Sequence, residues 1–291
     1  MNDRIKILQN KDSRFPTLLS EIHDPPERLF FRGQLSEDPE VCVAVVGTRK
    51  ATHYGKHVTK KLVTELARHN ITIVSGLAYG IDAEAHRATL DAGGRTIAVL
   101  AGGVDNPSIT PRAHEDLAHE IIAAGGCIMS EHPPGTSSRP YHFPARNRII
   151  AGMCQLTLII EAQAKSGTMI TAAAALRENR DVLVVPGPIT SPYSEGPHQL
   201  LKDGAIPVTC TQDILEILDL TAAHAAADIK RVIPMSEDER SLLEFITHEP
   251  INTDELSRIS KISITSVTQL LTLLELKTLV THVGSGCYTK T

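Results

Sequence analysis

The chain has 291 residues, of which 42% are hydrophobic and 22% are charged, so it is long enough for a globular protein of two domains. Its formal net charge of −5 excludes a globally basic nucleic-acid-binding protein, and any such site must be a local basic patch. No stretch reaches the about 18 apolar residues of a membrane span, and the N-terminal residues contain no apolar signal region. We therefore expect a cytoplasmic protein without membrane contact.

The cysteines give no sign of a metal site or of disulfide bonds. They are odd in number and far apart: Cys42, Cys127, Cys154, Cys210 and Cys287. This spacing fits neither a zinc knuckle nor a disulfide framework. We expect reduced, buried thiols, and we assign no metal and no cofactor.

Residues 1–40 contain apolar anchors but also prolines, at Pro16, Pro25 and Pro26, that prevent a long helix. We expect this segment to be a lead-in packed on the following domain.

From Val41 the pattern alternates between strand and helix. The predicted strands are Val41–Val46, Ile71–Val74, Thr96–Leu100, Cys127–Met129, Gln155–Glu161 and Asp181–Val185. The predicted helices are Tyr54–His69, Ala83–Ala92, Pro111–Ala124, Arg146–Gly152 and Thr168–Asn179. The alternation predicts an α/β domain over residues 41–212, with a doubly wound parallel sheet and helices on both faces.

The C-terminal quarter has a different composition. We predict a linker over residues 213–235, because its TAAHAAAD stretch, Thr221–Asp228, has no apolar periodicity. Residues 236–291 are predicted to form three helices and a terminal hairpin, which together make a small winged helix-turn-helix domain. The helices are Glu237–Thr247, Thr253–Ser260 and Ser263–Leu276, and the hairpin strands are Leu279–Val283 and Tyr288–Lys290.

The charge of the winged helix domain argues against recognition of a DNA groove by this domain. Residues 232–291 contain five cations and eight acids, a difference of −3. The candidate recognition helix, SITSVTQLLTLLEL, contains no Lys or Arg, whereas a helix that reads a DNA groove needs cations for phosphate. This favours a protein-contact role.

Glycine-containing loops follow five of the predicted strands, and these loops meet at one edge of a parallel sheet. The first loop, GTRKATHYG from Gly47 to Gly55, also supplies Arg49 and Lys50. It fits neither G-x-G-x-x-G nor the P-loop pattern, and no acid follows Ser75-Gly76 to hold a ribose. The loops indicate a polyanion-binding rim rather than a standard nucleotide site.

The stretch RPYHFPARNRII, Arg139–Ile150, interleaves cations with rings in a chain that is only 3% aromatic. Its members are Arg139, Tyr141, His142, Phe143, Arg146 and Arg148. Unpaired bases stack on aromatic rings for about 1–3 kcal/mol each while cations meet the backbone. In the alternative interpretation the rings are core anchors and the arginines pair with Glu161 or Asp82.

Hydrolytic chemistry is less well supported. The chain lacks a G-x-S-x-G elbow, and the candidate bases His53, His86 and His142 have no nucleophile at a recognisable spacing. His86 follows Asp82 by four residues, which favours a structural Asp–His hydrogen bond over a catalytic pair.

These segments as a set resemble the DprA family, also called Smf, over nearly the whole chain. The resemblance lies in RFPTLLSEIHDPPERLFFRG, VVGTRKATHYG, SGLAYGIDAEAH, SEHPPGTSSRPYHFPARNRIIAG, EAQAKSGTMITAAAAL and VPGPI. It implies an extended Rossmann-like domain that binds single-stranded DNA without sequence preference, forms homodimers and loads the RecA recombinase during natural transformation or recombination. It implies no enzymatic turnover.

The resemblance also implies a set of DNA-binding residues. Those matching the family's pocket are Arg49, Phe143, Arg146, Asn147, Arg148, Lys165, Ser166, Gly167 and Thr168, to which we add Ser75 and Gly76 at the end of the second strand. The chain departs from the family's pattern at Thr110-Pro111 and at Gly196-Pro197-His198.

Two other functions remain open. A Rossmann-like nucleotide phosphoribohydrolase has a glycine-rich loop similar to KSGTMIT, but this chain lacks the paired glycines and the following glutamate. A regulator that binds double-stranded DNA would use the winged helix.

Overall fold

The computed structural model describes residues 4–36, 40–218, 236–243, 245–247, 250–276, 280–284 and 286–290. The chain divides into two compact units, Met1–Ile214 and Leu215–Thr291. Most of the predicted linker, including Thr221–Asp228, lies outside the described residues.

The first unit is built on a nine-stranded sheet with the order β1-β2-β6-β5-β4-β3-β7-β8-β9. Its strands are β1 Lys6–Gln9, β2 Arg28–Gly33, β3 Cys42–Val46, β4 Thr72–Ser75, β5 Thr96–Val99, β6 Cys127–Ser130, β7 Leu156–Ile159, β8 Asp181–Val184 and β9 Ile206–Pro207. Strands β3 to β9 are parallel to one another, whereas β2 pairs antiparallel with both β1 and β6. The predicted parallel sheet is confirmed.

Helices cover both faces of this sheet. The helices of this unit are α1 Thr17–Ser20, α2 His53–Arg68, α3 Ile81–Asp91, α4 Glu115–Ala123, α5 His142–Gly152, α6 Gly167–Arg177 and α7 Glu195–Lys202. The next helix, α8 Thr211–Ile217, contains the boundary in the chain between the two units. One core joins side chains of α1, α5 and α6 to Ala44 and Val46. A second joins side chains of α3 and α4 to Ala98 and Ile128. Because helices lie on both faces, the central strands are buried apolar runs.

The structure adds strands that the sequence analysis did not assign. Residues 1–40 were predicted only as a lead-in, but β1 and β2 form a hairpin that extends the sheet beyond β6. Leu8, Leu29 and Phe31 of this hairpin are buried in the first core. Pro16, Pro25 and Pro26 lie between these two strands, so they do not interrupt the pairing.

The strand order reverses at β3, because β4 lies on one side of this strand and β7 on the other. The connections that leave β3 and β7 therefore diverge at the carboxyl edge of the sheet and open a crevice, which is where ligands of such sheets bind. The connection after β3 begins with a glycine because there is no room for a side chain: a Cβ atom at Gly47 would lie 2.5 Å from the Ile81 side chain.

The second unit has the winged helix architecture predicted from the sequence. Its helices are α9 Glu237–Leu243, α10 Thr253–Ser260 and α11 Ile264–Leu276, and its sheet has the order β10-β12-β11, formed by Ile251–Asn252, Cys287–Lys290 and Val280–Gly284. Leu242, Leu256, Val267, Leu271 and Leu274 form its core with Ile246 and Val280. The hairpin matches the prediction, although Ser285 in its turn lies outside the described residues.

Within the described ranges, no helix combines the length and apolar character needed to cross a membrane.

Candidate nucleic-acid interface

A cleft of about 510 Å³ opens at the point where the strand order reverses. Three segments form its walls: the loop after β3, the N-terminal half of α5 and the first turn of α6. From these segments the lining residues include Thr48, Arg49, Lys50, Phe143, Arg146, Asn147, Ser166, Gly167 and Thr168. The glycine-rich loop and the basic–aromatic stretch, which are far apart in sequence, thus meet in one site.

An arginine and an aromatic ring meet at the wall of this cleft. The guanidinium carbon of Arg49 lies 5.0 Å from the centroid of the Phe143 ring, which is within the range of a cation–π contact. The Arg49 side chain is exposed, as is Lys50 beside it, and Phe143 is half-buried. The site therefore offers a flat apolar ring and two cations to a ligand from solvent.

Arg146 lies at the floor of the cleft and is only 5% exposed. Its Nη1 donates to the carbonyl oxygen of Gly76 at 2.7 Å and to that of Val99, and its Nε donates to Asn147 Oδ1 at 3.2 Å. These bonds connect α5 to the carboxyl ends of β4 and β5. Arg146 thus holds the cleft together as well as placing a positive charge beneath it.

Asp82 is the buried acid that accompanies Arg146. Burial lowers the pKa of Arg146 to about 10, while Asp82 acts in the opposite direction. Burial raises the pKa of Asp82, against the opposing influence of Arg146 and of the backbone N–H groups of Ala78 and Gly76. Arg146 remains protonated at neutral pH, because about 10 is still well above 7.

Helix α6 begins at the cleft with residues that leave its first turn open to a ligand. The Ser166 side chain makes no cap hydrogen bond, and its buried Oγ has no partner among the described residues. Asn147 Nδ2 donates to the Gly167 carbonyl at 3.3 Å, which fixes this turn against α5. The free N–H groups and the positive end of the helix dipole favour an anion at this position.

Glu161 orders the loop that carries Arg49. Its carboxylate accepts from the backbone N–H of Thr52 at 2.9 Å and from the Thr52 hydroxyl, while its carbonyl accepts from Thr48 N at 2.7 Å. A Cβ atom at Gly55 would lie 2.2 Å from the Glu161 carboxylate, so a side chain there would displace the carboxylate from its contacts with Thr52. Glu161 therefore holds the loop, whereas the alternative interpretation paired it with an arginine.

The structure brings seven of the predicted site residues into the cleft: Arg49, Phe143, Arg146, Asn147, Ser166, Gly167 and Thr168. Lys165 is exposed in the loop just before α6, beside the lining residues. Ser75 and Gly76 lie behind the lining. The Ser75 hydroxyl is buried and donates to the Val45 carbonyl at 2.7 Å, and Gly76 N donates to Asp82 Oδ2 at 3.1 Å. The last two residues support the site from beneath.

Arg148 is placed away from the cleft. Its Nη1 donates to the Asp24 carbonyl at 2.6 Å, its Nη2 pairs with Glu131 Oε1 at 2.6 Å, and its Nε lies 3.2 Å from Asp24 Oδ2. The reason is helical periodicity: residues two apart on an α-helix are separated by about 200° around the axis. When Arg146 points into the cleft, Arg148 must point to the other side of α5.

Some lining residues were not predicted. Asp82, Gln163 and Tyr193 border the cleft. Tyr193 reaches it from a 3₁₀ turn at Pro192–Ser194, whose capping Ser191 and Pro192 are a sequence signal for the turn but not for its place at the cleft. Asp82 was singled out only as a partner for His86 or for an arginine.

The predicted hydrogen bond between Asp82 and His86 is wrong. His86 Nδ1 is hydrogen-bonded to Thr96 Oγ1 at 2.7 Å, while Asp82 accepts from backbone N–H groups. Burial lowers the pKa of His86 to about 3, so this ring is neutral at physiological pH. Across the described ranges, no three His, Cys, Asp or Glu side chains are grouped as metal ligands.

Two family models match this chain. The model described as DNA recombination-mediator protein A matches residues 6–219, and the DprA winged helix domain model matches residues 222–286. Together they cover both units.

Individual relatives agree with these matches. The chain is 41% identical over 217 residues to DNA processing protein DprA of Bacillus subtilis (strain 168), covering 74% of this chain and 71% of that protein. It is 44% identical over 208 residues to Protein Smf of Escherichia coli (strain K12), covering 71% of this chain but only 55% of that longer protein.

A solved structure of DNA processing protein A from Helicobacter pylori, described for its single-stranded DNA binding mode, is also similar. It superposes with a TM-score of 0.66 at 30% identity and covers 74% of this chain and 96% of that chain.

Proposed function

The chain belongs to the DNA recombination-mediator protein A (DprA/Smf) family of DNA-processing proteins, and we propose that it binds single-stranded DNA without sequence preference in the cleft where the strand order reverses. The observation that carries this proposal is the combination of the Arg49–Phe143 pair and the open first turn of α6 in one cleft. The Phe143 ring of this pair suits a base, and the first turn of α6 suits a phosphate.

The Phe143 ring supports the binding of an unpaired base. A base in a duplex is already stacked on its neighbours, whereas a base of a single strand can stack on a protein ring for about 1–3 kcal/mol. Every base has such a face, so stacking on Phe143 does not select a sequence. Arg49 lies against the same ring, where its charge can meet the adjoining backbone.

The α6 terminus and the exposed cations support the binding of phosphate. Gly167 has open space where a side chain would be, so a phosphate can approach the backbone N–H groups of this turn closely. Arg49, Lys50 and Lys165 are exposed around it. Arg146 contributes its positive charge from the floor of the cleft, since its guanidinium group already donates to the carbonyl oxygens of Gly76 and Val99.

We propose that the chain acts as a mediator rather than as an enzyme. The phosphoribohydrolase loop that KSGTMIT resembles would have a glutamate at the position of Thr171. In this protein Thr171 is buried, and its hydroxyl donates to the Gly167 carbonyl at 3.4 Å. This position therefore offers neither a carboxylate nor a free base.

The partners implied by the family are part of the same proposal. We propose a homodimer that loads the RecA recombinase onto the bound strand during natural transformation or recombination, which requires a cytoplasmic location. Light scattering measures the dimer, and RecA filament formation on strands coated with a single-strand-binding protein, with and without this protein, measures loading. A monomer, or loading at the same rate in both reactions, contradicts this part.

For the winged helix we propose a protein-contact role. The exposed face of α11 presents Ile264, Thr265, Thr268, Gln269 and Thr272, which carry no charge to meet a phosphate. A helix with such a face is poorly suited to a DNA groove, where phosphate contacts supply most of the affinity.

A fluorescence titration with three ligands tests the proposed function. We expect tight binding of oligo-dT, and much weaker binding of a blunt duplex of the same length and of AMP. Tight duplex binding would favour the regulator, in which the winged helix reads DNA. Tight AMP binding with release of adenine would favour the phosphoribohydrolase.

A further inference from the structure

Exposed tyrosines mark the carboxyl edge of the sheet beyond the cleft. The chain contains five tyrosines, and three of them in the first unit are strongly exposed: Tyr54, Tyr79 and Tyr141 at 42%, 49% and 62%. Each lies on a loop or helix start that follows the carboxyl end of a parallel strand. We propose that the bound strand leaves the cleft toward β6 and stacks a second time on Tyr141. This inference rests on the proposed function.

Tyr141 is the outer ring of an ordered column. Its ring lies edge-on to His142, with centroids 4.5 Å apart and an interplanar angle of 86°. His142 is 8% exposed and stacks on His132, with centroids 4.1 Å apart. Arg139 Nη1 donates to the Tyr141 hydroxyl at 3.2 Å, which holds the ring from its other end. We refer to Tyr141, His142 and His132 as the Tyr141 column.

Such a column is better suited to binding than an isolated surface ring. Single exposed apolar side chains are common and do not by themselves indicate a binding site. Here two further rings and a hydrogen bond restrict the orientation of Tyr141 before any ligand arrives. A base that stacks on it therefore loses less free energy to the ordering of the protein side chain.

The distance between Tyr141 and the cleft fits a continuous strand. Tyr141 directly precedes α5, and Phe143, which lines the cleft, is the second residue of that helix. Consecutive Cα atoms are about 3.8 Å apart, so the Cα atoms of Tyr141 and Phe143 are at most about 7.6 Å apart. A stacked strand advances about 3.4 Å per nucleotide, so about two further nucleotides reach from Phe143 to Tyr141.

The charges along this route are compatible with a polyanion. Arg139 is exposed beside Tyr141. Glu131 and Asp24 are the acids near the column, and both are paired with Arg148, at 2.6 Å and 3.2 Å. Arg148 therefore weakens the repulsion that these acids would exert on a phosphate, although it does not line the cleft.

Oligonucleotides of two lengths separate this inference from the proposed function. A thymidine dinucleotide covers one step of about 3.4 Å from the Phe143 ring and stops short of Tyr141, whereas an oligo-dT of about 15 nucleotides, near the upper end of single-strand site sizes, also reaches the column. We expect the parent to bind the longer strand more tightly. Tyr141→Ala should lower its affinity for the longer strand at least about fivefold and leave the shorter strand unaffected. Tyr141→Phe, which keeps the ring, should bind like the parent.

Tyr54 provides the matched control. It is similarly exposed, but its hydroxyl donates to the Pro186 carbonyl at 2.6 Å, next to β8 on the opposite side of the cleft. Tyr54→Ala should change neither affinity. The inference is overturned if Tyr141→Ala weakens both strands by the same factor or weakens neither, or if Tyr54→Ala alone selectively weakens the longer strand. Failure of the parent to bind either strand would instead refute the proposed function.

Discussion

The Arg49 guanidinium carbon lies 5.0 Å from the centre of the Phe143 ring, and this contact joins the loop after β3 to the start of α5. A cation and a ring held against each other can serve one nucleotide together, the cation at its phosphate and the ring at its base. The two side chains should nevertheless contribute in different ways, and these can be measured separately.

We expect Arg49→Ala to weaken binding of oligo-dT and to reduce its dependence on salt. Each phosphate neutralised on a single strand releases counterions, so the log of the affinity falls with log salt by about 0.7 per phosphate. Loss of one phosphate contact should flatten the slope by about that amount. Titrations at four salt concentrations measure it, with Lys60→Ala as the control because Lys60 is an exposed cation of α2 that does not line the cleft. Equal slopes for the parent and Arg49→Ala would contradict a phosphate contact.

For Phe143→Ala we expect a loss of about 1–3 kcal/mol of binding free energy, the usual contribution of one stacked base. The salt slope should stay nearly unchanged, because no charge is removed. The double variant tests whether the two side chains act together: a loss smaller than the sum of the single losses shows that the ring positions Arg49. A flattened slope for Phe143→Ala would mean that the ring serves only to hold the cation.

A methyl group at Gly167 probes the proposed phosphate position. A Cβ atom there meets nothing within 4 Å, and Gly167 is the first residue of α6, so Gly167→Ala should leave thermal stability nearly unchanged. It should weaken single-strand binding, since the methyl group would occupy the space through which a phosphate approaches the N–H groups. Gly55→Ala is the contrasting variant, because its Cβ would collide with Glu161 and destabilise the fold. Parent-like affinity of Gly167→Ala would place the phosphate elsewhere.

Arg146 and Arg148 looked equivalent in the sequence, and the structure separates them. Arg146→Ala leaves the carbonyls of Gly76 and Val99 without a buried donor, at a cost of about 1–3 kcal/mol each. Arg148→Ala breaks ion pairs that reach solvent, where a loss below about 1 kcal/mol is usual. Urea unfolding of both variants measures the difference. Equal stabilities would show that the two carbonyls find other partners.

The parallel sheet and its binding edge were predictable because their signals are local. A β-branched run such as Cys42–Val46 followed by a glycine loop indicates a buried strand, and parallel strands place such loops together. That arrangement predicts Arg49 and Phe143 at the same edge of the sheet, but not the contact between their side chains. What the sequence could not provide was the phase of α5. It was predicted to begin at Arg146 but begins at His142. A spacing of two residues places Arg146 and Arg148 on opposite sides of any helix, but the sequence does not show which of the two sides faces the cleft.

Contacts between segments that are distant in sequence could not be predicted either. The β1–β2 hairpin lies in a proline-rich stretch, and its pairing with β6 is a tertiary event without a local pattern. The helical spacing of Asp82 and His86 predicted a bond between them, yet Thr96 on β5 and the backbone N–H of Gly76 compete for these groups. The i, i+4 spacing rule applies to side chains on an isolated helix, whereas Asp82 and His86 both bond to groups outside α3.

The last prediction concerns His86 and the stability of the first unit at low pH. Thr96 Oγ1 donates to the Ile73 carbonyl at 2.7 Å, so it accepts from His86 Nδ1, and the buried Nε2 is left without a proton. In the unfolded chain this histidine takes up a proton below its ordinary pKa of 6.5, but in the folded protein burial delays protonation until about pH 3. The unfolded state therefore binds more protons across this window. The free energy of unfolding should fall as the pH is lowered from about 6.5 toward 3, by up to about 1.4 kcal/mol per pH unit from this group. His86→Gln, which cannot be protonated, should flatten the profile, whereas His132→Gln should change it less because that ring is only half-buried. Urea unfolding at pH 7, 6 and 5 measures the three profiles, and parallel profiles for His86→Gln and the parent would show that the buried neutral ring is not the source of acid sensitivity.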